Sequence, residues 1–273
     1  MKKIFTLLMM VPGMLLATGC SSDDPVNLAA EITGNYEGYA EASCMYFSGD
    51  FSAEQKISVT SGSAPDKVNI SYVSTTWGSV AVADALVSEG TAGYVVSGTG
   101  KWTMGMGGNS SDYDCTVSGV VKEGATEFTF TSPAVMGGLT VAFTEGELPA
   151  AKVMPGSYKG WTDASCAYFQ GSLSDNQTVT ITENNGTYSV AYESDTWGSF
   201  SFSDVAVEYG GGVFAISGSG SCSMGHAGSV KDYPCTMTGS VDPGKSAPTF
   251  KFEVPAVMGG LTITFNTGAM PAE

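Results

Sequence analysis

Pro133-Ala134-Val135-Met136-Gly137-Gly138-Leu139-Thr140 returns unchanged as Pro255-Ala256-Val257-Met258-Gly259-Gly260-Leu261-Thr262, 122 residues further on (255 − 133). Eight identical residues at a separation of one domain length mark a duplication, so the chain holds two copies of one module. Three further stretches recur. Ser43-Cys44-Met45-Tyr46-Phe47 matches Ser165-Cys166-Ala167-Tyr168-Phe169, and Thr76-Trp77-Gly78-Ser79 matches Thr196-Trp197-Gly198-Ser199. Asp112-Tyr113-Asp114-Cys115 matches Asp232-Tyr233-Pro234-Cys235.

Between these marks, apolar and polar residues alternate with a period near two. Lys56-Ile57-Ser58-Val59-Thr60, Val68-Asn69-Ile70-Ser71-Tyr72-Val73 and Glu127-Phe128-Thr129-Phe130 are examples. Such segments are strands with one wet face. Gly-, Ser- and Asp-rich clusters such as Ser61-Gly62-Ser63-Ala64-Pro65-Asp66 separate them as turns. No stretch beyond Cys20 carries a helical period with caps. The pattern predicts an all-β chain whose modules each hold eight or nine short antiparallel strands joined in sequence order, which suits an up-and-down barrel or a two-sheet sandwich. Within the repeated octapeptide, proline ends one strand, Gly-Gly permits a tight turn, and Leu-Thr begins the closing strand.

The start of the chain is read as a targeting segment. Lys2 and Lys3 precede an apolar run from Ile4 to Leu16, which is too short for a permanent span, and Leu16-Ala17-Thr18-Gly19-Cys20 follows. These residues resemble the bacterial lipoprotein signal, which implies removal of residues 1–19 and lipidation of Cys20. The acidic Ser21-Ser22-Asp23-Asp24 resembles an export signal to the outer face of the outer membrane. The expected layout is a lipidated cysteine and tether over 20–31, a barrel over 32–148, a linker over 149–154 and a barrel over 155–273.

The signal, the acidic tether and the modules of about 120 residues together resemble the calycin-like β-barrel lipoproteins of Gram-negative gut anaerobes. So do the opening Gly-x-Tyr (Gly34/Tyr36, Gly156/Tyr158) and the late Pro-Ala-Val-Met-Gly-Gly-Leu. The resemblance covers both modules and implies two tandem calycin-like antiparallel meander β-barrels of about eight strands each, built as in lipocalins. It implies no particular ligand, since Gly-x-Tyr stands where lipocalins carry Gly-x-Trp.

Five cysteines follow the anchor. Cys44 aligns with Cys166 and Cys115 with Cys235, so an oxidising envelope would pair Cys44–Cys115 and Cys166–Cys235. Each bridge would add about 4 kcal/mol on the chain-entropy account. Cys222 is left over, as a buried thiol or an intermolecular link, where the first module has Trp102. Zinc is not expected, since there is no CxxC and the one histidine is His226. No phosphate-cradling or calcium-binding pattern occurs, and no cofactor is expected.

Charged residues make up 14% of the chain against about 25% in an average domain. The formal charge is −16 and all 11 basic residues are lysines, which argues against nucleic acid. The candidate ligand residues are Trp77 and Trp197, beside glycine at strand junctions, with Met104, Met224, Met136 and Met258 in glycine-rich turns. Each tryptophan could equally plug its barrel, and the segments from Met104 and Met224 could be lids or ordinary hairpins. Tyr46, Phe47 and Tyr113 are expected to pack around the disulfide. The duplicated acids are Asp84/Asp204, Asp112/Asp232 and Glu41/Asp163, and Gly-x-Ser-x-Gly is absent.

The expectation is a non-catalytic, surface-anchored protein of the outer membrane that binds a small apolar or glycan ligand. The alternatives are a structural or adhesive protein with filled barrels and, more remotely, a glycoside hydrolase, which would need two facing carboxylates.

Overall fold

A computed structural model describes residues 26–106, 109–225, 229–244 and 247–271. The signal segment, Cys20 and His226 lie outside the described residues. The first module contains β1 (Gly34–Ser43), β2 (Asp50–Ser61), β3 (Lys67–Ser74) and β4 (Gly78–Gly90). It continues with β5 (Gly93–Met106), β6 (Asn109–Val121), β7 (Glu127–Ser132) and β8 (Leu139–Glu145). These eight strands pair in chain order, and β8 closes on β1 as an antiparallel barrel. The second barrel is built the same way from β9 (Gly156–Ser165), β10 (Ser172–Asn184), β11 (Thr187–Ser194) and β12 (Gly198–Gly210). It is completed by β13 (Val213–Met224), β14 (Lys231–Val241), β15 (Thr249–Val254) and β16 (Leu261–Thr267). Closure leaves no free sheet edge.

Alternation sorts each strand into an inner and an outer row. Ile57, Val59, Ile70, Tyr72, Phe128, Phe130, Val141 and Phe143 are buried inside the first barrel. Lys56 pairs with Glu37 and Lys101 with Asp114 on the outside, both at 2.6 Å. This is the reverse of a membrane-spanning barrel, whose apolar band faces outward. Among the described residues no helix is long and apolar enough to cross a membrane.

Two short helices go beyond the strand-only expectation. α1 (Leu28–Ile32) and α2 (Ala150–Val153) lead into the two barrels and bury Ala29, Ile32 and Val153. Five and four residues are too few to show a period in sequence, and packing rather than propensity holds them. The Gly-x-Tyr opening has a physical reason here. Tyr36 donates its hydroxyl to the carbonyl of Ile32 at 2.6 Å, and Tyr158 donates to Met154 at 2.7 Å. Each tyrosine thus ties its barrel to the end of the preceding helix. Gly38 and Gly160, two residues on, lie where the closing strand passes. A Cβ there would approach the carbonyl oxygen of Thr144 or Asn266 to 2.0 Å.

The expected disulfides are not formed: Cys44, Cys115, Cys166, Cys222 and Cys235 are all free thiols. Cys44 follows β1 and Cys115 lies on β6, with β7 and β8 between them in the barrel wall. Cys166 and Cys235 are separated in the same way by β15 and β16. The neighbour that Cys235 does have is Cys222. The register sets Gly220 opposite Cys235 and Cys222 opposite Tyr233, so the two buried cysteines are diagonal neighbours on facing strands. Each thiol is close enough to shift the titration of the other.

The barrels meet through the linker. Tyr39 and Phe51, on the first barrel's outer wall, are buried with Leu148, Val153 and Met154. Lys152 Nζ sits 5.2 Å above the Tyr39 ring and 5.8 Å above Phe51, with a Glu41 carboxylate oxygen at 3.8 Å.

Candidate functional site at the barrel mouths

All four repeated motifs converge on one rim of each barrel. In the first barrel the rim comprises the Cys44–Phe47 segment, the Thr76–Trp77 turn before β4, the β5–β6 hairpin and the Pro133–Gly138 turn. The last of these joins β7 to β8, as the sequence reading expects. Gly138 N donates to Val135 O at 2.8 Å, and φ is 49° at Met136, 72° at Gly137 and 109° at Gly138. Two glycines carry such angles freely. Met136 and its counterpart Met258 (φ 50°) do so under strain, with half-exposed side chains.

Trp77 and Trp197 are plugs rather than open platforms, at 6% and 8% exposure. Phe47 stacks on Trp77 with centroids 5.7 Å apart, and Phe169 stacks on Trp197 at 5.9 Å. The sequence reading places Phe47 around a disulfide; with no bridge present, Trp77 is its partner, and Phe169 packs on Trp197 in the same way. Tyr46, expected to pack there too, is exposed. The Ser74 hydroxyl accepts from the Thr76 and Trp77 amides at 3.2 Å, and Ser194 does the same for Thr196 and Trp197 at 3.2 and 3.1 Å.

Below the plugs the barrels are filled. Tyr72 stacks on Phe130 at 5.4 Å, and Tyr192 stacks on Phe252 at 5.1 Å with Phe200 and Phe202 beside it. The tyrosine hydroxyls are satisfied by Gln55 and Gln177, each at 2.7 Å. This filling leaves the mouths and outer walls as the surfaces open to solvent.

The two mouths differ. Trp77 Nε1 donates to Ser52 Oγ at 3.1 Å, and Trp102 Nε1 donates to the Trp77 carbonyl at 2.6 Å. In the second barrel Cys222 replaces Trp102, and the Trp197 Nε1 is buried with no hydrogen-bond partner among the described residues. Met45 packs over Gly137, its Cε 2.9 Å from where a Cβ would stand, and the corresponding residue is the smaller Ala167. The second mouth holds a cleft of about 540 Å³, lined by Trp197, Met224, Met258, Tyr233, Glu193 and Asp195 among others. Three of the six expected ligand residues, Trp197, Met224 and Met258, thus share one cleft. Trp77, Met104 and Met136 occupy the matching rim of the first barrel. Glu193 and Asp195 carried no repeat signal, since Val73 and Thr75 stand in their places.

The duplicated acids do not form a facing pair. Asp84 sits at the opposite end, accepting the Ser63 amide at 2.7 Å, which holds its carboxyl below the usual range. Asp112 binds the Thr103 hydroxyl at 2.6 Å near the mouth, Asp232 binds Ser223 likewise, and Glu41 lies on the outer wall against Lys152. Among the described residues no group of three or more His, Cys, Asp or Glu could hold a metal ion.

The sequence profile of the calycin-like beta-barrel domain matches residues 32–144 and again 154–268. Among solved structures, the chain is similar to a "putative outer membrane protein" of Bacteroides fragilis, with 22% identity and a TM-score of 0.55. That alignment covers 89% of this chain and 99% of the other. At that identity the likeness is one of fold. A DUF3598-family protein of unknown function from Nostoc punctiforme aligns over 88% of this chain and 97% of its own at 10% identity. Its TM-score of 0.26 is too low to bear on the argument. No curated protein matches the chain.

Proposed function

The chain belongs to the calycin-like β-barrel family, and from that premise we propose a lipid-anchored surface protein whose second barrel holds a small ligand at its mouth, without catalysis. The observation that carries this reading is the cleft beside Trp197, where Met224, Met258 and Tyr233 offer apolar surface. A volume near 540 Å³ falls within the usual range for small-molecule sites. The lining also carries Glu193, Asp195 and the hydroxyls of Ser194, Thr196, Ser199 and Ser223, and among the described residues no basic one. Carboxylates and hydroxyls accept hydrogen bonds from a ligand's hydroxyls and repel anions. A neutral glycan therefore suits the cleft better than a fatty acid. Anchoring rests on the Leu16–Cys20 stretch, and the fold neighbour's description supports an outer-membrane location.

The test is calorimetric titration of neutral oligosaccharides and of fatty acids into the mature protein. Binding of an oligosaccharide that Met258→Glu abolishes and Met136→Glu leaves intact supports the reading. Binding of no member of either panel, or equal loss in both variants, removes it. One observation favours a second reading, a structural or adhesive protein: both barrel interiors are filled, and the rims display Met45, Tyr46 and Tyr168 to solvent.

A further inference from the structure

The two tryptophan plugs sit on equivalent turns but are fastened differently. Ser74 and Ser194 each accept the two amides that shape the turn, and each ring is buried and stacked on a phenylalanine. In the first barrel two further hydrogen bonds hold the residue in place. The indole nitrogen of Trp77 donates to Ser52, and its carbonyl receives the indole nitrogen of Trp102. The second barrel has neither bond. Cys222 faces Phe200 where Trp102 faces Val80, so no indole stands there to reach the Trp197 carbonyl. Ser174 holds the place of Ser52, opposite Thr162 as Ser52 is opposite Ala40. Even so, Trp197 Nε1 is buried without a hydrogen-bond partner among the described residues.

A buried N–H without an acceptor forfeits the bond it would make to water, and that loss opposes the plugged position. For Trp77 the bond to Ser52 favours the same position. Trp197 also has room to leave it, since the cleft of about 540 Å³ borders its ring. The other polar side chains lining that cleft are carboxylates and hydroxyls, which all accept hydrogen bonds. The indole N–H is the one side-chain group among the described lining residues that only donates.

We propose that Trp197 is a movable binding ring, which leaves its plugged position for the cleft, lies against a sugar there and donates its N–H to a sugar hydroxyl. Trp77 stays a fixed plug. Both properties of the indole are used, the flat apolar face and the polar edge. The choice of a sugar rests on the reading of the mouth given above; the release of the ring does not.

Hydrogen exchange of the indole N–H groups, followed by NMR on the mature protein, tests it. The chain has four tryptophans, and Trp77→Phe, Trp102→Phe, Trp161→Phe and Trp197→Phe assign their signals. The Trp197 N–H is expected to exchange faster than that of Trp77 by about tenfold or more, the ratio for losing one hydrogen bond. Ser52→Ala should bring Trp77 up to the Trp197 rate, while Ser174→Ala should leave Trp197 unchanged. Both serines are half-buried and each change removes one hydroxyl, so both variants fold, which unchanged signals elsewhere in the spectrum verify. Cellotetraose or maltotetraose should shift the Trp197 signal and slow its exchange, and should leave Trp77 as it was. Exchange of Trp197 as slow as that of Trp77, acceleration by Ser174→Ala, or a bound oligosaccharide that leaves the Trp197 signal in place would overturn the proposal. Fast exchange with neither oligosaccharide bound would remove the mouth reading and the sugar contact with it, while upholding the release of the ring.

Discussion

Tyr72 is wholly buried, and burial pushes its hydroxyl up from 10.0 to about 12. A group whose folded pKa is raised contributes stability that is complete below its unfolded pKa and is lost as pH climbs through the folded value. Stability should therefore hold to about pH 10 and fall by roughly 2.5 kcal/mol by about pH 12 from this residue alone. Denaturant titrations followed through tyrosinate absorbance would check this; Tyr72→Phe should remove its share of the slope. Burial, then the neighbouring Cys222, pushes the Cys235 thiol up to about 12, and burial also raises Cys222. Both stay protonated near neutrality, so folded protein should resist iodoacetamide at about pH 8, where unfolded protein reacts. Because Cys222 is the thiol beside Cys235, a small-molecule disulfide in excess should link these two once the pH is raised to about 10 or above, where thiolate begins to form, releasing two reduced thiols per bridge. Non-reducing peptide mapping that found Cys166 joined to Cys235 would refute this. Counting cysteines in sequence missed the pair because repeat symmetry discards the residue without a counterpart, and here that residue is the neighbour.

At the scale of elements, the facing pair Val80–Trp102 on β4 and β5 becomes Phe200–Cys222 on β12 and β13. All four are buried at 1% exposure or less, so bulk has moved from one strand to its partner while the filling is kept. Cys222→Trp alone should overpack against Phe200, and Phe200→Val alone should leave a void. Each should cost about 1–3 kcal/mol, and the double variant should recover most of both losses, a coupling visible in a denaturant double-mutant cycle. Additive losses would show that the barrels do not share this packing rule. Strands, turns and barrel closure were legible because a period of two over a filled interior leaves a regular trace in residues such as Phe128 and Phe130. The mouth was half legible. Trp77 and Trp197 stood out by repetition, yet the cleft beside Trp197 is also lined by Glu193 and Asp195, which have no acidic counterpart in the first barrel, so repetition could not point to them. The helices were not legible, being single turns held by Tyr36 and Tyr158.

For the whole molecule, the question is whether two barrels make one cooperative unit. Their cores are separate clusters, and the contact between them is made by Tyr39, Phe51 and the linker residues Leu148, Val153 and Met154. The Lys152–Glu41 pair is about half exposed at both ends, and such a pair contributes at most about 1 kcal/mol. Each barrel buries a complete core of its own, whereas the contact is a handful of side chains, so each should unfold by itself. Phe143 is fully buried in the first barrel, and Phe143→Ala should remove about 3–5 kcal/mol from that barrel. Calorimetry should then resolve two transitions, one moved by Phe143→Ala and the other by the equivalent Phe265→Ala. The first barrel's loss should reach the second only through the uncovering of Leu148, Val153 and Met154, displacing its transition by a small fraction of the direct effect. Equal displacement of both transitions by either substitution would mean that the linker surface fuses the barrels into one folding unit.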